Sequence, residues 1–329
     1  MEDLLKVHNL KVNYPIKESF INLMKGKNNK YVHAVNDISF NIKKGEILSM
    51  VGESGSGKTT AGKAVLRLIE KNMIQGEILF NDRNILKANK DEIREYRRKA
   101  QMIFQDSYQS LNPKNTVYDI VAEPLKVNSM IKESTELNER VKAALVQSGL
   151  PATNYFLNRY PHELSGGQRQ RVAIAGTIIL EPDFIIADEP VSMLDVSIRA
   201  DILRLMIEQR DKYNVSYIFI THDLSLAWVL SDRIAIMYLG KILEIGSGDE
   251  IIKNPCNPYS KALIDIMPKM GIKKKGKKLL IEGEIPSPID LPKGCVFHMR
   301  CPYAKDICRE EEPTLQEISP EHFAACHIL

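Results

Sequence analysis

The stretch that decides the fold is GESGSGKT, at residues 52–59. An apolar run, ILSMV at residues 47–51, precedes it, and a helix-compatible segment follows at residues 61–68. A strand, a glycine-rich loop and a helix in this order form a phosphate-binding P-loop, because the glycines let backbone N–H groups turn toward an anion. Lys58 is then predicted to reach the β- and γ-phosphates of a nucleotide, and Thr59 to offer its hydroxyl to Mg²⁺. A plain glycine-rich surface turn is the alternative.

A second apolar run, FIIA at residues 184–187, ends in two adjacent carboxylates, Asp188 and Glu189. Successive strand residues point to opposite sides, so the two carboxylates are predicted to have different roles. Asp188 is assigned to the Mg²⁺ shell and Glu189 to the attacking water as general base, as phosphoryl transfer requires. A solvated acidic strand end is the alternative interpretation.

A helix with one apolar face is predicted over residues 195–212, with Asp195 as its N-cap, and a strand follows at residues 217–221. This order implies a right-handed crossover in a mostly parallel sheet. His222 stands at the carboxyl end of the last strand, where ligands of open α/β sheets bind, so its side chain is predicted to face the γ-phosphate. A structural histidine is the alternative.

Together with LSGGQ at residues 164–168, these motifs resemble the nucleotide-binding subunit of an ATP-binding cassette (ABC) transporter over nearly the whole chain. The resemblance implies an α/β fold: a P-loop NTPase core of the ABC ATPase type, an inserted helical subdomain and a small cysteine-containing C-terminal extension. It also implies hydrolysis of ATP with Mg²⁺. In this family LSGGQ of one subunit caps the nucleotide of the other, so Ser165 and the amides of Gly166 and Gly167 would open a helix toward the γ-phosphate.

The same resemblance assigns further residues. Gln105 matches the family's glutamine that touches Mg²⁺ and the water, and SMLD at residues 192–195 matches the loop that crosses the dimer interface, with Met193 where an alanine is usual. Tyr14 is the candidate for stacking on adenine, and Tyr31 is the alternative because the stretch at residues 16–30 obscures the alignment. The predicted catalytic residues are Gln105, Glu189 and His222, and the predicted Mg²⁺ ligands are Thr59, Gln105 and Asp188. The predicted nucleotide-binding residues are Tyr14, Gly52, Ser54, Gly55, Ser56, Gly57, Lys58, Thr59, Thr60, Gln105, Ser165, Gly166, Gly167, Gln168 and Asp188.

Composition favours a subunit without membrane spans. The chain has 329 residues, a hydrophobic content of 44% and a net charge of +3, which gives no global case for nucleic-acid binding. No run reaches the roughly 18 apolar residues of a transmembrane helix, and the first residues lack a signal-peptide pattern. The lysine-rich run at residues 273–278 is interpreted as a solvated linker.

Three regions are predicted along the chain. Residues 1–88 and 170–250 form the nucleotide-binding core, and residues 89–169, with helical patterns at 91–100 and 137–149, form the inserted helical subdomain. Turn signals at residues 246–248, 254–255 and 257–258 mark the exit from the core. Residues 251–329 form the C-terminal extension.

The extension holds every cysteine of the chain: Cys256, Cys295, Cys301, Cys308 and Cys326. The close grouping of the last four indicates a shared ligand, because structural disulfides are not expected in a cytosolic nucleotide-hydrolysing chain. Their spacing fits neither zinc ribbons nor simple ferredoxin runs. Spacing alone therefore leaves the metal open, and buried thiols without metal remain an alternative.

With NPYSKAL at residues 257–263 and GEIPSP at 283–288, the tail resembles the C-terminal extension of oligopeptide, dipeptide and nickel importer ATPases, and most of all that of the second ATPase in this group. The resemblance implies a [4Fe-4S] cluster on Cys295, Cys301, Cys308 and Cys326, with zinc or unmetallated thiols as alternatives. Cys256, His298, His322 and His327 are interpreted as bystanders. Replacing Cys301 or Cys308 is expected to leave nucleotide affinity nearly unchanged.

The resemblance implies an ATPase subunit of a peptide uptake system on the cytoplasmic face of the membrane. Its expected partners are a second ABC ATPase subunit, two integral permease subunits and an extracellular substrate-binding protein, with no nucleic acid; a homodimer stays open. Related importers of nickel or oligosaccharides are alternatives, as are a soluble cassette ATPase and a metal sensor that only binds ATP. A single cassette without a heptad tract disfavours the soluble ATPase, and Glu189 disfavours the sensor.

Overall fold

The structure is a computed structural model, and it describes residues 2–16, 30–131, 133–267, 281 and 283–329. The lysine-rich run at residues 273–278, and residues 17–29 of the stretch that obscures the alignment of Tyr14, lie outside the described residues. The chain forms two compact units. The first consists of Met1–Ala88 and Phe219–Leu329, and the second of Asn89–Ile218.

The helices and strands are numbered here in chain order. Up to residue 88 they are β1 (Asp3–Pro15), β2 (Tyr31–Lys43), β3 (Ile47–Val51), α1 (Lys58–Val65), β4 (Ile74–Phe80) and β5 (Arg83–Asn84). Next come α2 (Lys90–Lys99), β6 (Ala100–Ile103), α3 (Ser107–Ser110), α4 (Val117–Val127), α5 (Ser134–Gln147), α6 (Asn154–Leu157), α7 (Gly166–Ile178), β7 (Phe184–Asp188), α8 (Val196–Tyr213) and β8 (Ser216–Thr221). The last are α9 (Leu224–Leu230), β9 (Arg233–Tyr238), β10 (Lys241–Ser247), α10 (Gly248–Lys253), α11 (Pro258–Ile266), α12 (Ile307–Glu310), β11 (Leu315–Ser319) and β12 (His322–Ala325).

Two sheets organise the first unit. Strands β2-β1-β4-β5 form an antiparallel sheet, and strands β11-β12-β10-β9-β3 lie side by side in the other. In the second of these sheets β3 and β9 run parallel, whereas β9, β10, β12 and β11 pair antiparallel. Every residue of β3 is buried, as expected for a strand covered on both faces. The P-loop leaves the carboxyl end of this strand.

The C-terminal region packs into the first unit. Strand β12 pairs with β10 through Glu244↔Ala324 and Ile245↔Phe323. Tyr259, Phe297 and neighbouring apolar residues share one buried cluster with Val51, the last residue of β3. Residues 251–329, predicted as a separate extension, are therefore part of the same compact unit as the P-loop, because they bury their apolar side chains against its strands.

The second unit contains a helical core. Helices α4, α5 and α7 contribute buried side chains to one cluster that also includes Leu164 and Leu180. Strands β6 and β7 pair in parallel, with Ile103 opposite Ala187. The predicted boundary between residues 169 and 170 falls inside α7. Residues 170–218 lie in this unit, and not with the first, since a continuous helix and its apolar face cannot be divided between two cores.

Candidate functional site

The P-loop, residues 52–59, connects β3 to α1 in the first unit. The Lys58 ammonium donates hydrogen bonds to the carbonyl oxygens of Gly52 (2.7 Å) and Glu53 (2.9 Å) and to the hydroxyl of Ser56 (3.1 Å). The lysine is buried, whereas Ser54 and Gly55 are exposed. The loop thus holds its cation on the inner side and leaves its tip open to solvent, which suits the binding of an anion at the N-terminus of α1.

Two glycines of this loop are required by its geometry. Gly57 has φ of +100°, and a Cβ there would lie 2.3 Å from the carbonyl oxygen of Ala34. A Cβ on Gly52 would lie 2.1 Å from the carbonyl oxygen of Met237. Larger residues cannot occupy either position without moving a neighbouring backbone segment.

Tyr14 lies beside the P-loop helix. Its hydroxyl is hydrogen-bonded to Thr60, and burial raises the pKa of the phenol despite this bond. Tyr31 lies on the neighbouring strand, opposite Pro15, and is more exposed. The contact with Thr60 links Tyr14 directly to the segment that is predicted to hold the nucleotide.

His222 directly follows β8 and is exposed. Its two neighbours fix the turn: the Asp223 amide donates to the Thr221 hydroxyl (3.0 Å), and the Asp223 carboxylate caps α9 by accepting from the amides of Ser225 and Leu226. The histidine therefore extends from a hydrogen-bonded junction at the carboxyl end of a strand, the position that the sequence predicted.

The two predicted carboxylates of the second unit differ in environment. Asp188 ends β7 and is 3% exposed, whereas Glu189 is half-buried and has a left-handed φ of +45°. The expected strand alternation does not apply to this pair, because only Asp188 belongs to the strand. The left-handed turn at Glu189, and not the pleat, separates the two side chains.

Gln105 contacts Glu189. The Gln105 amide Nε2 donates to the Glu189 carboxylate Oε2 at 3.1 Å, and the Ser192 hydroxyl donates to the Glu189 carbonyl oxygen at 3.0 Å. The glutamine and the proposed general base thus lie within one hydrogen bond of each other, at the end of the parallel pair β6 and β7.

The LSGGQ segment forms the start of α7. Ser165 is the N-cap: its hydroxyl accepts from the Gln168 amide (3.3 Å), and the Gln168 side chain accepts from the Ser165 amide (3.1 Å). This capping box leaves Ser165 and Gly166 exposed. The helix begins at Gly166, directly after this cap.

The loop after Glu189 leads into α8. The Arg199 guanidinium holds it by donating to the carbonyl oxygens of Leu194 (2.7 Å) and Ser192 (3.3 Å). Asp195 occupies the N-cap position of α8 but makes no capping hydrogen bond through its side chain. Met193 and Val196 are 72% and 80% exposed, which leaves two apolar side chains on the surface of this unit.

The structure brings together the four cysteines of the tail. The Cys295 amide donates to the Cys308 carbonyl oxygen at 2.9 Å, and Cys308 is buried while Cys295, Cys301 and Cys326 are half-buried. Burial raises the pKa of the Cys295 thiol to about 11, with smaller contributions from the charges of Cys308, Cys326 and Cys301. Burial also raises the pKa values of Cys301 and Cys326. The Cys295–Cys308 hydrogen bond and these electrostatic contributions indicate that the four cysteines lie near one another.

Cys256 and His322 belong to a different group, which sequence reasoning did not detect. Buried Glu244 accepts hydrogen bonds from the amides of Cys256 (2.8 Å) and Asn257 (3.0 Å) and bonds the His322 ring at 2.8 Å. The ligand atoms of Glu244, Cys256 and His322 lie within 4.8 Å of one another. His298 and His327 instead bond the carbonyl oxygens of Cys295 and Glu311.

Among the described residues, none of the helices has both the length and the apolar character that crossing a membrane demands. Solved structures of similar fold include the dimeric cassette MJ0796 in a post-hydrolysis state bound to ADP and phosphate, with a TM-score of 0.63 and 27% identity, covering 74% of this chain and 98% of that one. Another is cbiO1 from Clostridium perfringens, part of the transporter complex cbiONQ, with a TM-score of 0.63 and 27% identity. That match covers 77% of this chain and 92% of cbiO1. The predicted α/β cassette fold is confirmed.

Sequence comparisons agree with the fold. The family model for the ABC transporter matches residues 35–192, and that for the oligopeptide/dipeptide transporter, C-terminal region, matches residues 243–308. The chain is 44% identical to the oligopeptide transport ATP-binding protein AppF of Bacillus subtilis, covering 99% of this chain and 98% of that protein. It is 40% identical to the dipeptide transport ATP-binding protein DppF of Haemophilus influenzae, with coverage of 99% and 97%. The chain therefore belongs to the ABC transporter ATPases that carry the oligopeptide/dipeptide transporter C-terminal region.

Proposed function

We propose that this chain binds ATP and Mg²⁺ at its P-loop and hydrolyses ATP to drive the import of peptides through two integral permease subunits. The observation that carries the proposal is the combination of an intact P-loop with the C-terminal region at residues 243–308, which the peptide transport relatives share. In this arrangement the chain is a peripheral subunit on the cytoplasmic face of the membrane. An extracellular substrate-binding protein delivers the peptide.

Each residue of the proposed site has its own role in the binding and hydrolysis of ATP. Lys58 and the loop amides bind the phosphates, Thr59 and Asp188 hold Mg²⁺, and Gln105 orients the site through its bond to Glu189. Glu189 accepts the proton of the attacking water, and His222 meets the γ-phosphate from the strand end. Tyr14, fixed by Thr60, stacks on the adenine.

Reconstitution tests the transport function. The chain is co-expressed with the permease subunits and the second ATPase, purified as a complex and inserted into vesicles. ATP-dependent accumulation of labelled peptides is expected, with nickel and oligosaccharides as parallel substrates. Accumulation of nickel or oligosaccharide alone would replace the proposed substrate class, and failure to co-purify with integral subunits would contradict the transport function.

The exposed start of α7 supports a composite site formed by two ATPase subunits. Ser165 and Gly166 face solvent, and Met193 and Val196 add exposed apolar surface to the same unit. We propose that these groups meet the nucleotide bound by a second ATPase subunit, in a heterodimer. ATP then bridges two chains while ADP does not, so hydrolysis reopens the dimer.

The isolated chain is expected to hydrolyse ATP slowly, with a rate per chain that rises with protein concentration, because each site needs the α7 start of another subunit. Phosphate release is measured across a concentration series, with the oligomeric state followed by light scattering. Addition of the second ATPase subunit should raise the rate further. A full and concentration-independent rate in a monomeric sample would refute the composite site.

We also propose that Cys295, Cys301, Cys308 and Cys326 hold a [4Fe-4S] cluster. Four neighbouring thiols match the number and type of donors of such a cluster, and the binding of iron would displace protons that burial otherwise retains. The cluster would crosslink loops of the tail. A structural zinc is the alternative metal.

Protein purified without oxygen is expected to contain about four irons and four sulfides per chain, with a broad visible absorption that fades in air. Cys308→Ser should lose most of this iron, whereas Cys256→Ser should keep it, since Cys256 belongs to the Glu244 group. Iron, sulfide and zinc are quantified in all three proteins. Stoichiometric zinc without iron, or equal iron loss in both variants, would exclude the proposed cluster.

A further inference from the structure

Glu53, inside the P-loop, is paired with a residue of the distant C-terminal region. Nη1 of Arg300 lies 3.1 Å from both carboxylate oxygens of Glu53. The Arg300 side chain is 9% exposed and that of Glu53 is 28% exposed, so the pair is largely shielded from water. An ion pair in this environment is stronger than one on the open surface.

The main chain of the same residue is also held. The Glu53 amide donates to the hydroxyl of Tyr259 at 3.1 Å, while its carbonyl oxygen accepts from Lys58. Two of the groups that hold Glu53, Arg300 and Tyr259, therefore come from the C-terminal region. The others are Lys58, which is proposed to bind the phosphates, and the amide of Ser56, which donates to the Glu53 carbonyl oxygen at 3.2 Å.

An aromatic cluster fixes Arg300 and Tyr259. The ring centroids of Tyr238, Tyr259 and Phe297 lie 4.9–5.3 Å apart, and all three side chains are buried. The Arg300 guanidinium lies 5.7 Å from the centroid of Tyr238 and donates to its hydroxyl at 3.4 Å. Cys295 and Cys301 pack against the same cluster. Both contacts to Glu53 thus extend from a buried, closely packed base.

We propose that Arg300 and Tyr259 are positioning residues for ATP binding, through which the C-terminal region holds the P-loop in its phosphate-binding shape. The inference rests on the proposed nucleotide site at the P-loop. Tyr259 fixes the backbone at residue 53, next to the carbonyl groups that hold Lys58. Arg300 neutralises a carboxylate that would otherwise repel the phosphates of ATP.

The proposal leads to a different expectation for Cys301 from the one drawn from the sequence, that replacing Cys301 or Cys308 leaves nucleotide affinity nearly unchanged. Arg300 directly precedes Cys301, so a shift of the main chain at Cys301 also moves Arg300. Disturbing the cysteine segment therefore disturbs the partner of Glu53.

Arg300→Ala is expected to weaken ATP binding about tenfold, with kcat at saturating ATP nearly unchanged, because the free Glu53 carboxylate repels the phosphates. The dissociation constant is measured by titration calorimetry and KM and kcat by phosphate release, in complex with the partner subunits. Arg300→Lys should recover most of the affinity. Arg309→Ala, which removes an exposed arginine from the same segment, is the matched control and should bind ATP normally.

The double variant Glu53→Gln with Arg300→Ala separates charge from folding. Removal of both charges is expected to restore the affinity for ATP. If the double variant binds ATP as weakly as Arg300→Ala does, repulsion by the Glu53 carboxylate is not the cause of the loss. Unchanged affinity in Arg300→Ala itself would overturn the positioning role of the arginine.

Tyr259→Phe tests the backbone contact. It keeps the aromatic packing but leaves the Glu53 amide without its acceptor, so ATP affinity should fall while thermal stability changes little. Normal affinity would overturn the role of Tyr259. Lys58→Ala distinguishes an error in the proposed nucleotide site from an error in this inference. If Lys58→Ala binds ATP as tightly as the wild type does, the proposed nucleotide site is wrong. If Lys58→Ala loses ATP affinity while Arg300→Ala binds ATP normally, only this inference is wrong.

Discussion

Replacing Glu189 by glutamine is expected to slow ATP hydrolysis about 10²–10⁴-fold while ATP still binds. Glutamine keeps the shape of the side chain, and its amide oxygen can still accept the hydrogen bond from Gln105. It cannot take a proton from the attacking water. The loss is therefore confined to the chemical step, and the nucleotide-bound state should accumulate.

The test compares kcat and the dissociation constant of ATP in the complex with the partner subunits. Glu181→Gln is the matched control, since it makes the same change at an exposed carboxylate of the same unit, where the residue pairs with Arg140. That control should hydrolyse ATP normally. Near-normal turnover in Glu189→Gln would remove Glu189 from the role of general base.

Replacing Lys58 by alanine is expected to weaken ATP binding itself by about 10–100-fold, the size of the loss of one or more charge-assisted hydrogen bonds. The ammonium is buried against the carbonyl oxygens of Gly52 and Glu53, so it is already in place before the phosphates arrive. Without it, backbone amides alone meet the charge of the nucleotide.

Titration calorimetry with ATP measures this loss directly. Lys63→Ala removes a lysine from the last turn of the same helix, α1, and is the control for helix stability. Circular dichroism of both variants checks the fold. Equal affinity of Lys58→Ala and wild type would contradict the assignment of the P-loop.

Features that depend on neighbouring residues could be predicted from the sequence. The strand predicted at residues 47–51 is observed as β3, and the helices predicted at residues 195–212 and 137–149 are observed with shifts of a few residues. Apolar runs, helical periodicity and glycine content act over short distances along the chain. The helix after the P-loop was predicted at residues 61–68, whereas α1 begins at Lys58, because Gly57 occupies its N-cap position.

Features that depend on packing could not be predicted from the sequence. The sequence gives no reason to expect a left-handed φ at Glu189, which lies beyond the end of its strand. The division of the chain also differs from the predicted one, because α7 joins a core with α4 and α5, and β12 joins β10. Neither the packing of α7 nor the pairing of β12 can be recognised from the local periodicity of the sequence.

The motifs at residues 52–59, 164–168 and 184–189 determined the family, the cofactor class and the identity of most candidate site residues, because each requires specific residue types at short spacing. Only the tertiary structure decided that Cys256 and His322 belong with Glu244, and that Arg300 and Tyr259 hold Glu53. Arg300 is 247 positions from Glu53 and Tyr259 is 206 positions away. Partners at such separations are chosen by the burial of the aromatic cluster between them, and no local pattern in the chain encodes that choice.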